Sequence, residues 1–252
     1  MGGNLIYEQW LFNTSISVNS TFLYVTNQTG FDWMSCDGIL GLSVAGYRQF
    51  NSPLRAMKDI GIISRGIIGI YLSNVSNDTT SEIYIGGQNN EIVKNNAIFY
   101  SDVSSNSYWE VESSSRTLNG VIIATIDHQI IFDIGIPHII IPEKDFDPIK
   151  DYLTTTMGLQ CTFQNNIYRC NNGTNALNAD IINKLPIINF TIGDLNYGLK
   201  GIAYSFLEAD NMTVNLLLVP SASITKWVVG NCFLRNFYTL LDYDKLRVAL
   251  IP

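Results

Sequence analysis

The sequence predicts an all-β fold with few short helices. Three observations carry that expectation: apolar residues alternate with a period of two, turn signals recur every few residues, and the composition is rich enough for a core. Of 252 residues, 46% are hydrophobic and only 15% charged, which describes a packed chain rather than a disordered one. In chain order, Ser52 ahead of Pro53 places a capping side chain before a proline at the first helical position, and Gly61 marks that helix's end. Ser81-Glu82-Ile83-Tyr84-Ile85-Gly86-Gly87 alternates as a strand and closes on a turn. A second helix runs from Glu143 to about Thr155, with Ile149, Tyr152 and Leu153 on one face and acidic residues in its first turns. Residues 189–197 read as a hairpin across Gly193-Asp194, and a short helix begins near Cys232. Residues 238–241 and 247–250 form a last hairpin around Asp242-Tyr243-Asp244-Lys245. The polar stretch 101–107 is the best boundary if there are two lobes, dividing the chain into 1–103 and 104–252.

Charge and cysteine usage exclude several classes. Fifteen Lys and Arg against 22 Asp and Glu give a net charge of −7, which opposes nucleic acid and anionic membrane surfaces as partners. Two His and four Cys, with no C-x-x-C and no H-x-x-x-H, predict no metal site. No apolar run nears the ~18 residues of a membrane span. Residues 1–8 have neither a basic nor an apolar leader region, so a signal peptide is expected upstream if the chain is secreted. Asn-x-Ser/Thr occurs at Asn13, Asn19, Asn27, Asn74, Asn77, Asn172, Asn189 and Asn211. That excess over chance points to a secretory route, or simply to an Asn-rich chain. Cys161 and Cys170 bracket a polar loop and suit a disulfide in an oxidising compartment, the alternative being two free thiols. Cys36 and Cys232 lie in apolar contexts and read as small buried residues.

The chemically informative segment is Ile130-Ile131-Phe132-Asp133-Ile134-Gly135-Ile136-Pro137. A lone Asp in so apolar a strand is costly to bury without partners, although Asp-x-Gly is also an ordinary turn. Two other segments share an apolar-apolar-Gly pattern, Ile39-Leu40-Gly41 and Val228-Val229-Gly230. With these, the chain resembles the pepsin-like aspartic peptidases, in which such segments cross an Asp-Thr-Gly or Asp-Ser-Gly loop in each of two β lobes. The markers follow in order across nearly all 252 residues: Asp37-Gly38-Ile39-Leu40-Gly41-Leu42, then 82–87, Tyr108-Trp109-Glu110-Val111, Asp133 with Gly135 and Pro142, the Cys161/Cys170 pair, 185–193, and 227–252. The resemblance implies a bilobal acid-protease fold whose first lobe is incomplete.

It also implies peptide hydrolysis by two carboxylates that share a proton, one activating a water and the other donating to the scissile carbonyl. No cofactor or metal is implied. The implied partner is an extended polypeptide substrate, the implied state a monomer, and the compartment extracellular or lysosome- or vacuole-like. Asp133 takes the place of the second lobe's catalytic aspartate, and Gly135 lets the backbone approach its carboxylate. Two departures stand out. Ile134 and Ile136 replace the usual Thr or Ser, which removes hydroxyl donors from the loop. The chain holds two crossing segments but one Asp-x-Gly loop; Asp32 and Asp37 read as turn residues, and the Tyr-bearing flap hairpin is absent or reduced to its last few residues around Gly2-Gly3. The resulting expectation is an N-terminally truncated endopeptidase, inactive by itself. The alternative is a non-catalytic pepsin-like protein used for binding or inhibition. Trp109 and Trp227 are expected to pack the core.

Overall fold

The computed structural model describes residues 2–12, 15–29, 36–49, 52–73, 80–124, 127–177 and 180–252. Asn13, Asp32, Asn74 and Asn77 lie outside the described residues. Strands dominate and every helix is short, as the alternation predicts.

Two five-stranded sheets form the centre. In the first, Tyr238–Asp242 lies between Ile67–Tyr71 and Arg247–Ile251, with Glu82–Ile85 and Tyr100–Asp102 as the outer strands. This sheet takes strands from both sides of residue 103. Its closing hairpin forms because the Asp242 carboxylate serves the turn: Oδ1 accepts the amides of Asp244 and Lys245, and Oδ2 accepts Arg247 Nε at 2.8 Å. A carboxylate so paired tolerates burial that a lone one would not. In the second sheet the order is Leu218–Ser221, Ile139–Pro142, Trp227–Val229, Gln129–Phe132 and Trp109–Glu112.

Two four-stranded sheets flank these. One joins Leu195–Leu199, Ile188–Ile192, Ser115–Leu118 and Val121–Ile122; its hairpin turns at Gly193, whose φ of 58° suits glycine. The other joins Gln160–Gln164, Ile167–Asn171, Thr213–Leu216 and Ser205–Leu207. There Cys161 and Cys170 are direct cross-strand partners and form the disulfide, above a turn made by Asn165 and Asn166 at positive φ.

The helix Pro53–Asp59 starts as its sequence dictates, with the Ser52 hydroxyl accepting the Arg55 amide, and ends before Gly61 at φ 79°. The second helix spans Glu143–Asp151 and then widens into a π-helical turn over Tyr152–Thr156, a change of winding that periodicity alone did not foresee. At the N-terminal end the strands Gly2–Leu11 and Ser17–Asn27 pair along their length as a hairpin. Its inner face brings Trp10 onto Phe22 edge-on at 5.3 Å and joins Val18 to Ala56 and Met57 of the helix. Its other face presents Leu5, Tyr7 and Leu23 to solvent. One expectation is corrected: Cys232 is buried but Cys36 is exposed, because apolar neighbours in sequence do not guarantee cover in space.

Candidate functional site

Asp133 ends the strand Gln129–Phe132, and Ile139–Pro142 leaves the loop that follows. Between these two strands lies Trp227–Val229, parallel to the first and antiparallel to the second. The Asp133 amide donates to the Val229 carbonyl at 3.0 Å, which fixes the loop's start to the crossing strand. The loop's far side is fixed by main chain as well. The amides of Gly230, Asn231 and Cys232 donate to the carbonyls of His138, Ile136 and Pro137 at 3.0, 2.8 and 3.2 Å. These donors open the short helix Asn231–Leu234, where they have no partners within the helix. Loop and helix thus satisfy one another, over a floor of Phe132, Phe190, Trp227 and Phe233 rings.

The half-buried Asp133 carboxylate accepts the Gly135 amide at Oδ1, 2.8 Å away. A Cβ on Gly135 would stand 3.1 Å from that same oxygen, so glycine permits the close approach. Where hydroxyls would add donors, Ile134 packs on the core and Ile136 lays its side chain against Gly230. Among the described residues, no other side chain hydrogen-bonds to Asp133 and no carboxylate is paired with it. Nor is there, among those residues, a cluster of His, Cys, Asp and Glu able to hold a metal. Among the described residues, no helix is long and apolar enough to cross a membrane.

The other apolar-apolar-Gly segment has no such enclosure. Ile39 is 63% and Leu40 45% exposed, and Ile39, Leu40 and Gly41 belong to no strand. A Cβ on Gly41 would meet nothing within 4 Å, whereas one on Gly230 would meet the Ile136 and His138 carbonyl oxygens at 2.3 and 2.4 Å. The open segment is nonetheless anchored beside the site. The Leu42 carbonyl accepts Trp109 Nε1 at 2.7 Å and the Tyr243 hydroxyl at 2.8 Å, and Trp109 is the cross-strand partner of Phe132. Trp109 and Trp227 are both buried, as core aromatics.

Sequence reasoning missed the support behind the crossing strand. Trp227 Nε1 donates to Asp145 Oδ2 at 2.8 Å, and Arg116 lies 6.0 Å from the Trp227 ring centroid. Arg116 and Asp145 are 1% and 2% exposed. Burial lowers the Arg116 pKa, with Asp145 and Asp127 opposing that shift, and its Nη2 donates to the Asp127 carbonyl. The only signal in the sequence was a charge at position 116, inside an alternating strand.

Of the sequon asparagines, Asn19 and Asn27 are exposed on the long hairpin, Asn172 is exposed after the strand Ile167–Asn171, and Asn189 is half-buried. Asn211 is exposed in a turn at φ 56°.

A β protein whose lone loop aspartate is threaded by an apolar-apolar-Gly strand belongs to the class of acid-protease folds. Comparison with known proteins agrees: the eukaryotic aspartyl protease family model matches residues 1–252, and the chain belongs to that family. It is similar to pepsin A of Rhinolophus ferrumequinum, 26% identical over 256 residues, covering 99% of this chain and 60% of that protein. Similar too are pepsin II-2/3 of Oryctolagus cuniculus, 27% identical over 219 residues (85% of this chain, 53% of that protein), and pepsin A of Sus scrofa, 26% over 257 residues (99% and 60%). The chain therefore spans a little over half the length of these curated relatives.

Proposed function

We propose that the chain supplies the Asp133 half of a two-aspartate endopeptidase site, acting on extended polypeptides in an acidic secretory or extracellular compartment. The observation that carries this reading is the threading of Val228-Val229 between the strands that enter and leave the Asp133 loop, with the Gly135 amide on the carboxylate. In this reading Asp133 holds or releases the proton exchanged with an attacking water, and the Gly135 amide fixes which oxygen faces the reaction. A single carboxylate cannot share a proton, so the second is supplied from outside residues 1–252. It would enter beside the open Ile39-Leu40-Gly41 segment, which on this reading belongs to a first lobe of residues 1–103, with 104–252 as the second. Residues 1–252 alone then give no turnover.

The test is cleavage of an unfolded protein at acid pH by a longer form that carries a second Asp-Thr/Ser-Gly loop, with and without Asp133→Asn. Loss of cleavage in the variant supports the assignment; unchanged cleavage removes Asp133 from catalysis. Pepstatin-sensitive cleavage by purified residues 1–252 would overturn their inactivity. A second reading, a non-catalytic protein of the same fold that binds polypeptides, is favoured by Ile134 and Ile136, which carry no hydroxyl to donate to the carboxylate; Ile134 packs on the core and Ile136 lies against Gly230. A longer form that binds an unfolded chain without cutting it would select that reading.

A further inference from the structure

We infer that Asn211 is an N-glycan acceptor of the folded protein. It lies in the turn that joins the strands Ser205–Leu207 and Thr213–Leu216, and its sequon is completed by Thr213 at the start of the second strand. The backbone at this point is held on both sides. The Asn211 amide donates to the Glu208 carbonyl at 2.9 Å, and its carbonyl accepts the Leu177 amide at 2.7 Å. The Asp210 carboxylate accepts the next amide, that of Met212, at 2.9 Å. With the main chain so secured, the exposed Asn211 side chain makes no hydrogen bond to any described residue. A sugar on its amide nitrogen therefore costs the fold no contact.

Asparagine tolerates the left-handed conformation, so φ 56° alone accounts for the residue type. It does not account for the threonine. Asn119, Asn165 and Asn166 share positive φ without Ser or Thr two residues on, and Asn119 uses its side-chain oxygen to accept the Ile187 amide. Asn189 is the converse case. It lies half-buried in an inner strand of a four-stranded sheet, its Oδ1 2.8 Å from where a Cβ on Gly198 would be. Its Thr191 hydroxyl is engaged with Ser115 Oγ and Asn196 Oδ1 at 2.8 and 2.7 Å. A bulky glycan there would have to stand on the sheet face itself.

The modification is a glycosyl transfer from an oligosaccharide-diphospholipid donor. A bond forms between the Asn211 side-chain nitrogen and C1 of the first sugar, the bond from C1 to the diphosphate oxygen breaks, the lipid diphosphate leaves, and one amide proton goes to base. Nothing is oxidised or reduced.

The experiment expresses the full chain behind a eukaryotic secretion leader, so that the leader supplies the route and the result reads the acceptor alone. Total protein and the soluble fraction, the latter checked for an intact Cys161–Cys170 disulfide, are treated with peptide N-glycosidase in 18O water and analysed by peptide mass. We expect the 18O label at position 211 in both, and none at 189 in the soluble fraction. Asn211→Gln and Thr213→Ala each lose one glycan step on a gel, and Thr213→Ser keeps it. Absence of label at 211 in total protein, or label at 211 confined to insoluble material, overturns the assignment.

Discussion

The Gly230 amide donates to the His138 carbonyl at 3.0 Å, and the volume a side chain at 230 would need is already taken by the carbonyls of Ile136 and His138. The crossing strand and the aspartate loop meet main chain to main chain at this point.

Gly230→Ala should therefore be severe and Gly41→Ala mild, although both glycines close the same three-residue pattern. At 230 the obstacle is backbone that cannot rotate away, and a cost of about 3 kcal/mol is expected. At 41 open space predicts a change within about 0.5 kcal/mol. Urea unfolding of the two variants measures this, and equal costs would contradict the enclosure described for the Asp133 loop.

The Asp145–Trp227 bond predicts a graded pair. Asp145→Ala leaves a buried indole N–H without its acceptor and the Arg116 cation without its neighbouring carboxylate, a loss of about 3 kcal/mol. Asp145→Asn keeps an oxygen for the indole and should cost less. Denaturant midpoints give the order, and fluorescence excited at 295 nm reports the Trp227 environment; equal losses would show that hydrogen bonding at Trp227 is not what matters.

The two free thiols should react in two separated phases. Cys36 is exposed, while burial pushes the Cys232 thiol up to about 12, leaving it protonated and shielded at neutral pH. A disulfide-exchange reagent should modify one thiol at once and the second only on unfolding. Reduction of Cys161–Cys170, which closes a loop of nine-residue separation, should lower stability by about 3 kcal/mol.

His138 sets a pH dependence. Burial lowers its pKa below the ordinary histidine value, so the unfolded chain takes up a proton in a range where the folded one does not. Stability should be highest above that ordinary value and fall as the pH drops through it toward the lower folded value. Melting temperatures between pH 8 and 5 should show the decline, and His138→Asn should flatten it. An unchanged slope would assign the decline to other groups.

The hairpins around Gly193 and Asp242 and the helix behind Ser52 were legible because the residue that makes each turn or cap is local. The disulfide was legible because its cysteines face each other across one short hairpin. The Asp133 loop and its crossing segment were visible as a pair of patterns 95 residues apart, since both need apolar strands and glycine. What stayed hidden is contact between distant main chain, as in the amides of 230–232 on the carbonyls of 136–138, which leaves little trace in side-chain identity. The Arg116–Trp227–Asp145 group was hidden for a related reason. Its members come from three separate elements, and each taken alone resembles a surface charge or a core ring.

The strand Tyr238–Asp242 is bonded on one side to Ile67–Tyr71, while its hairpin partner Arg247–Ile251 carries Tyr100–Asp102. Residues 67–102 and 238–251 are thus laced into one fabric. A protease cut at the exposed Asn119-Gly120 turn would leave fragments that still travel together through a sizing column and part only in denaturant. Excising either half would leave this sheet with unpaired strand edges.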